Sequence, residues 1–365
     1  MSYRILDSSN KMDEISLIWC NLLETSQYSF FLSWPWVSTW LKLLINEKIY
    51  IQLVVIYDNE QPVACFFIKK KKSIKLIGGV NRSYYFNTTG IEYYDEISVE
   101  YNSILMTDGQ YIKYIISIFK DNINNWNKLF FQGFNCGLNK YQDTLLSSYK
   151  VNEKSKISCF VDLTKIKNTD YLNLLSANTR YQIKRSIKEY KKIGSIEVIH
   201  ASNLNEAYEM YEKLKVLHQK AWIKRGKKGS FSNKFLDKFH MNLLKNYFLQ
   251  GYIQLVHILS GEETIGILYN FVYENKVYCY QSGFHYKEDN HFRPGLVSHY
   301  YSIISNYRKS NTTYDFLVGD ARYKKSLSTD YNLLYWSEVQ KKEFYFFIEN
   351  KIRNSIYLFI KSGRC

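Results

Sequence analysis

The predicted secondary structure of this 365-residue chain shows one order of elements twice. In each half a helical region is followed by antiparallel strands, a helix and a further strand. Strands and helices in this order are typical of an α/β fold (α+β mixed sheet). We therefore expect two α/β domains of one type, residues 1–155 and residues 156–365.

The elements of each half are predicted from local patterns. In the first half, Pro35 suits a first helical turn, and apolar residues follow it at helical spacing. The other elements predicted there are strands at residues 49–57, 61–69 and 73–77, a helix at 109–120 and a strand at 128–133. The second half is predicted to contain helices at 178–192, 205–222, 235–250 and 296–308, and strands at 252–259, 265–273, 276–284 and 312–318.

Composition and hydropathy exclude several classes of protein. Hydrophobic residues form 46% of the chain, too many for a disordered protein. The six cysteines have no spacing typical of zinc ligands or of a disulfide framework. No uncharged apolar stretch approaches the roughly 18 residues of a membrane span, and charged residues interrupt the apolar residues 344–360. We expect a packed helix or strand pair there, and a cytoplasmic protein without a metal site.

The positive charge of the chain is concentrated in the second half. Residues 1–150 contain 15 Lys or Arg and 14 Asp or Glu, whereas the remaining residues contain 34 and 20. A positive field over a cleft attracts phosphates, nucleotides or nucleic acid. A solvated basic face is the alternative interpretation.

The first candidate site is a junction between a predicted strand and a predicted helix. Arg293, Pro294, Gly295 and Leu296 follow the strand at residues 276–284. Pro294 favours a helix start, Gly295 lets a ligand approach the backbone, and the first turn leaves free N–H groups. With Arg293, this arrangement favours an anion such as a phosphate. An ordinary strand-to-helix turn is the alternative.

The second candidate site follows the strand at residues 312–318. Asp320, Tyr323 and Lys324 lie at its carboxyl end, where α/β proteins place functional side chains. Asp320 and Tyr323, at i and i+3, can share a helical face, so that the Tyr hydroxyl donates a proton and the carboxylate orients it. Alternatively, Asp320 caps a helix and Tyr323 packs in the core.

Two further groups are candidates for substrate binding. Arg180 and Lys184 lie on the basic face of an amphipathic helix, which is either a solvated face or a surface for an anionic donor or substrate. Trp222 follows His218 by one helical turn and could form the wall of a substrate pocket. For His218 a packing role is the alternative.

Several of these motifs form a pattern along the chain. They are Asp315-Phe-Leu-Val-Gly-Asp-Ala-Arg-Tyr-Lys324, Arg293-Pro-Gly-Leu296, residues 217–226, Phe31-Leu-Ser-Trp-Pro-Trp36 and Leu76-Ile-Gly-Gly79. The pattern resembles the CelD/BcsL-type GNAT acetyltransferases, which are tandem-GNAT proteins associated with polysaccharide or cellulose biosynthesis. The resemblance extends over most of the chain and is most specific in residues 178–325.

The resemblance implies tandem GNAT-like acyl-CoA N-acyltransferase domains. It implies that acetyl-CoA or another acyl-CoA binds at Arg293–Leu296, and that Tyr323 is the catalytic acid, with Asp320 and Lys324 orienting it or the donor. The second domain would bind the donor and catalyse transfer. The first would be structural or contribute to the acceptor cleft. After Arg293, however, only Gly295 remains of the glycine-rich signature that GNAT enzymes use for CoA.

The expected function is transfer of an acyl group from acyl-CoA to an amine or hydroxyl of a cell-envelope, polysaccharide-related or small-molecule acceptor. The related FemABX aminoacyltransferases, also tandem GNAT proteins, accept aminoacyl-tRNA, so tRNA is the partner in a first alternative. A non-catalytic module that binds polyanions is a second alternative.

Overall fold

The structure is a computed structural model that describes residues 1–74, 80–123, 125–141 and 146–342. Its helices are α1 Met12–Thr25, α2 Trp34–Asn46, α3 Glu92–Asp95, α4 Ile112–Ser117, α5 Ala177–Lys191, α6 Leu204–Lys224, α7 Lys234–Tyr247, α8 Pro294–Arg308 and α9 Arg322–Leu327. Its strands are β1 Ser2–Asp7, β2 Gln52–Asp58, β3 Gln61–Ile74, β4 Val80–Phe86, β5 Leu105–Met106, β6 Lys128–Phe134, β7 Tyr149–Asp162, β8 Ile196–His200, β9 Ile253–Ser260, β10 Glu263–Tyr273, β11 Lys276–Phe284, β12 Thr313–Val318 and β13 Asp330–Lys341.

The described strands form one mixed sheet in the order β1-β2-β3-β4-β6-β13-β7-β12-β11-β10-β9-β8, with β5 beside β3. The two halves of this sheet have the same pattern. Strands β1 to β4 are antiparallel and β4 is parallel to β6; likewise, β8 to β11 are antiparallel and β11 is parallel to β12. The mixed α/β fold expected from the sequence is confirmed.

The last strand of each half pairs with the other half. Strand β13 pairs with β6, β7 pairs with β12, and the two exchanged strands pair with each other from Asp330–Phe160 to Lys341–Tyr149. The boundary expected at residue 155 lies inside β7. The exchange makes the sheet continuous through the middle of the molecule.

A large aromatic core joins the two halves on one face of the sheet. The ring of Phe30 stacks on Phe271 at 4.3 Å, and Trp36 of α2 meets Phe239 of α7 at 4.7 Å. Both tryptophan and phenylalanine side chains are almost completely buried. Because burial of each such ring contributes on the order of 2–3 kcal/mol, this core fixes the position of one half against the other.

Most elements predicted from periodicity are present. Helix α2 includes Pro35 in its first turn, and the predicted meander of the second half is β9, β10 and β11. Strands β7 and β13 were not predicted, because many of their residues are charged or polar. Of the strand predicted at 73–77, residues 73 and 74 form the end of β3, and residues 75–79 and 344–360 lie outside the described part of the chain. Among the described helices, none has the length and apolar character needed to cross a membrane.

Candidate functional site

A cleft opens where the parallel strands β11 and β12 separate. Their register pairs run only from Lys276–Thr313 to Tyr278–Asp315. Beyond these pairs, side chains of both strands line a cavity of about 1100 Å³, closed at other sides by α5, α6, α8 and α9. The divergence of two parallel strands therefore positions the candidate site.

Most of the charged side chains that line the cavity are basic. The basic residues are Arg225, Lys227, Arg293, Arg322 and Lys324, and the acidic residue is Asp320. A concave surface with this balance concentrates anions. The positive charge of the cavity wall thus favours a phosphate-bearing ligand.

The first turn of α8 opens into this cavity. Pro294 occupies the first turn, and the preceding residue Arg293 provides no side-chain cap. The Arg293 amide donates to Ser186 Oγ at 2.8 Å, whereas the amides of Gly295 and Leu296 have no acceptor among the described residues. Such free amides at a helix start are suited to bind an anion. All four residues predicted for the donor line the cavity.

The neighbourhood of Gly295 is open enough for a side chain. A Cβ atom there would lie 3.4 Å from the Phe284 ring, which is an ordinary contact. The packing of the protein itself therefore does not require glycine at this position. A ligand that approaches the backbone closely would require it.

Tyr323 is held between aromatic rings at the cavity wall. Its ring meets Phe316 edge-on at 6.0 Å and stacks on His299 of α8. Burial raises the pKa of the Tyr323 hydroxyl well above its usual value, so the group remains protonated at neutral pH. This is the protonation state that a general acid requires.

The side chain of Lys324 binds the backbone at the end of β12. Its Nζ donates to the carbonyls of Leu317 at 3.1 Å and Val318 at 2.8 Å. Burial lowers the pKa of the ammonium, and the neighbouring Glu100 carboxylate opposes that shift. Gly319 provides space for Nζ, because a Cβ atom there would lie 2.8 Å from it. Lys324 therefore stabilises the strand end as well as lining the cavity.

Of the four residues predicted for substrate, two line the cavity. His218 is buried and Trp222 partly buried, with ring centroids 5.7 Å apart. Burial lowers the pKa of His218 to about 4, so the imidazole is neutral at pH 7. Arg180 and Lys184 do not line the cavity.

The orientation of α5 about its axis explains why Arg180 and Lys184 lie outside the cavity. Asn178, Thr179 and Gln182 line the cavity, whereas Lys184 is exposed and Arg180 donates to Asn173 Oδ1 at 3.2 Å. Residues spaced four apart share one face of a helix, and the face with Arg180 and Lys184 turns towards solvent.

Two residues that line the cavity, Tyr286 and Arg322, were not among the site residues predicted from the sequence. The Arg225 guanidinium lies 5.8 Å from the ring centroids of both Tyr286 and Trp222. Arg322 stands between Asp320 and Tyr323, so the motif already contained it. The described residues contain no group of three or more His, Cys, Asp or Glu side chains that could hold a metal ion.

The region that builds this site matches a known family. Residues 177–325 match the family profile described as acetyltransferase (GNAT) domain. This match to a GNAT domain lies wholly within the second half. The matched residues include α5, strands β11 and β12, α8 and the first part of α9. No curated protein sequence matches the chain.

Several solved structures are similar in fold to both halves of the chain. FemX aligns with 96% of this chain and 100% of its own at 11% identity, with a TM-score of 0.58. The C-terminal domain of a putative lysylphosphatidylglycerol synthetase from Agrobacterium fabrum aligns with 95% of this chain over 96% of its own length, at 9% identity and with a TM-score of 0.52. L-PGS from Bacillus licheniformis aligns with 93% of this chain over 96% of its own length, at 11% identity and with a TM-score of 0.50. At these identities the likeness is one of fold.

Proposed function

We propose that the protein is an acyltransferase that moves an acetyl or other acyl group from acyl-CoA to an amine or hydroxyl acceptor. The observation that carries the proposal is the pair of free amides of Gly295 and Leu296, which open into a cavity rich in cations. The pyrophosphate of acyl-CoA would bind these amides and Arg293. Its acyl chain would lie between β11 and β12.

The chemistry requires one nucleophilic displacement at the thioester carbonyl. The acceptor nitrogen or oxygen forms a bond to the carbonyl carbon and loses its proton to solvent, and the carbon–sulfur bond then breaks. Tyr323 gives its proton to the departing thiolate, and backbone N–H groups of the opened strand stabilise the oxyanion. Asp320 and Lys324 orient the acid or the donor. Holding the two substrates together supplies much of the rate enhancement.

The proposal assigns donor binding and catalysis to residues 156–365 and a non-catalytic role to residues 1–155. In the first half, the helical segment that precedes β6 begins with Asp108, whose Oδ1 accepts from the Gln110 amide at 2.8 Å. A carboxylate in that place repels a phosphate. A second cavity, between the first half and Val339 of β13, measures about 30 Å³ and is lined by apolar side chains, so it offers no space for a donor.

The proposed acceptor is a cell-envelope, polysaccharide-related or small molecule, and the proposed location of the protein is the cytoplasm. A resemblance to CelD/BcsL-type proteins supports an acceptor in the cell envelope or in polysaccharide biosynthesis, with a small molecule as the further choice. A cytoplasmic location is supported by the described cysteines, which are free thiols, as expected in a reducing compartment.

A FemABX-like transferase that uses aminoacyl-tRNA is the second candidate. The exposed Arg225 and Lys227 at the cavity favour it, as do the incomplete glycine signature after Arg293 and the fold shared with FemX. Calorimetric titration with acetyl-CoA, free CoA and tRNA at two salt concentrations separates the candidates. Micromolar binding of CoA ligands supports acyl-CoA, salt-sensitive binding of tRNA alone supports aminoacyl transfer, and no heat with any of them contradicts both.

A further inference from the structure

A segment of the first half reaches the point at which β11 and β12 separate. The Ile97 carbonyl accepts from the Tyr280 hydroxyl at 2.6 Å, and Glu100 Oε2 accepts from the Val318 amide at 2.7 Å. Tyr280 belongs to β11 and Val318 to β12, and both line the cavity. The residues 97–101 therefore contact both walls of a cleft that they do not line.

The end of β12 is irregular and depends on side chains for support. Its pairing with β7 shifts register between Asp315 and Val318, and Leu317 has a φ angle of +61°. A left-handed conformation is unfavourable for a leucine and persists only where the surroundings impose it. The Leu317 amide donates to Asp315 Oδ1 at 2.7 Å, and the Val318 amide donates to Glu100.

The buried Asp315 accepts one hydrogen bond from the first half and one from β7. The Tyr101 hydroxyl donates to Asp315 Oδ2, and Ser158 Oγ donates to Oδ1 at 2.9 Å. Asn332 Nδ2 donates to the Tyr101 oxygen at 3.0 Å, which fixes the phenol. A buried carboxylate needs such donors, because an unpaired one is costly in free energy.

The charges around Glu100 make this contact sensitive to pH. Glu100 interacts with Asp315, Lys324 and Lys156, and its charge also acts on the Tyr280 phenol. Burial raises the pKa of Glu100 to about 7, an effect that the Val318 N–H and the Lys324 ammonium oppose and Asp315 reinforces. The carboxylate form, which binds the amide and the ammonium more strongly, therefore predominates only above neutral pH.

We propose that Glu100 and Tyr101 are positioning residues of the first half for the reaction in the second half. They fix the end of β12 through Val318 and Asp315, and the next residues of the chain carry Tyr323 to the donor. The inference rests on the proposed acyltransferase function. A displacement of a reacting group by roughly 1 Å can lower a rate by about 10²-fold, so a distant contact of this kind affects turnover.

Three substitutions and a matched control test this inference. Glu100→Ala removes both the acceptor and the charge, Glu100→Gln keeps an acceptor of similar shape, and Tyr101→Phe removes the donor to Asp315. Glu96→Gln is the control, because Glu96 also makes a contact between the halves, but its carboxylate accepts from Asn233 Nδ2 at 2.6 Å, just before α7, and not from the end of β12. Each purified full-length variant is first compared with the unchanged protein by thermal unfolding.

We expect Glu100→Ala to lower kcat by about 10–100-fold, with a change in donor affinity below about threefold. In the unchanged protein turnover rises as pH increases through about 7, since Glu100 loses its proton there. Glu100→Gln lacks this rise, while Glu96→Gln keeps it. Tyr101→Phe lowers kcat by about tenfold. Equal kcat and an equal pH profile in Glu100→Gln and Glu96→Gln overturn the inference.

Hydrogen–deuterium exchange tests the contact without reference to turnover. Amides of residues 315–324 exchange at least about fivefold faster in Glu100→Ala than in Glu96→Gln if Glu100 holds the strand end. Equal exchange overturns the positioning role even in an active enzyme. Faster exchange in a protein that binds no acyl donor overturns the proposed function and the catalytic part of the inference, and leaves the contact itself supported.

Discussion

The phenol ring of Tyr323 lies parallel to the imidazole of His299, with ring centroids 4.9 Å apart and an angle of 12° between the planes. His299 is completely buried, and its Nδ1 lies 3.2 Å from the Tyr314 hydroxyl. Burial lowers the pKa of His299 to about 3, with Lys324 adding to the shift. The imidazole is thus a neutral, fixed surface that orients Tyr323 and does not lower the pKa of its hydroxyl.

Tyr323→Phe should lower turnover by about 10²–10⁴-fold, which is the usual contribution of a general acid. Donor affinity should change by less than about twofold, because the stacking on His299 is retained. Steady-state kinetics and calorimetry on the same preparation measure the two effects. Tyr300→Phe is the control, since Tyr300 lies on α8 and stacks on Tyr171 instead. Unchanged turnover in Tyr323→Phe would exclude it as the acid.

Arg293→Ala should weaken binding of acetyl-CoA by about 10–100-fold, the usual effect of losing a hydrogen bond to a charged group. The loss should be smaller at high salt, since salt screens the attraction in the unchanged protein. Arg308→Ala, at the other end of the same helix, provides the matched control. Equal affinities of the two variants in calorimetric titration would place the donor elsewhere.

Gly295→Ala should separate stability from binding. The added methyl group has room beside Phe284, and alanine is the better helix former, so the melting temperature should stay the same or rise slightly. Affinity for acetyl-CoA should fall by at least about tenfold, because the methyl group would occupy the space proposed for the pyrophosphate. A stable variant with full affinity would contradict a phosphate bound at this helix start.

Stability should decrease in mild acid because of buried neutral histidines. Burial lowers the pKa of His240 to about 3, below the value of about 6.5 in an unfolded chain. Its contribution to stability is complete above pH 6.5 and is lost as the pH falls towards 3. His240→Gln should reduce the slope of unfolding free energy between pH 4 and 6 by up to about 1.4 kcal/mol per pH unit. Urea unfolding at several pH values measures the slope, and an unchanged slope would show that His240 is protonated in the folded state.

Local sequence patterns were sufficient to predict the helix start of the candidate site. Pro294 lies in the first turn of α8, as expected, because proline restricts φ and needs no donor there. Asp320, Tyr323 and Lys324 follow β12 and line the cavity, since the chain leaves the sheet at that point. Features set by a few neighbouring residues could therefore be predicted.

Features set by distant residues could not be predicted in the same way. Periodicity identified the polar face of α5, but not whether that face meets solvent or a cavity, and Arg180 and Lys184 turned out to lie outside the cavity. Nothing near Tyr101 in the sequence indicates Asp315, which is 214 positions away. Pairing of β6 with β13 is of the same kind, because the residues of one strand do not specify which distant strand lies beside it.

The exchange of β7 and β13 has a consequence for how the chain is made. While the ribosome synthesises the second half, the first half has already emerged with β6 as an open edge, because its neighbour β13 is formed by Asp330–Lys341. An open edge strand invites pairing with other chains. The nascent protein therefore carries an aggregation-prone edge until residue 341 has left the exit tunnel, and synthesis that stalls before β13 should yield a product that depends on chaperones.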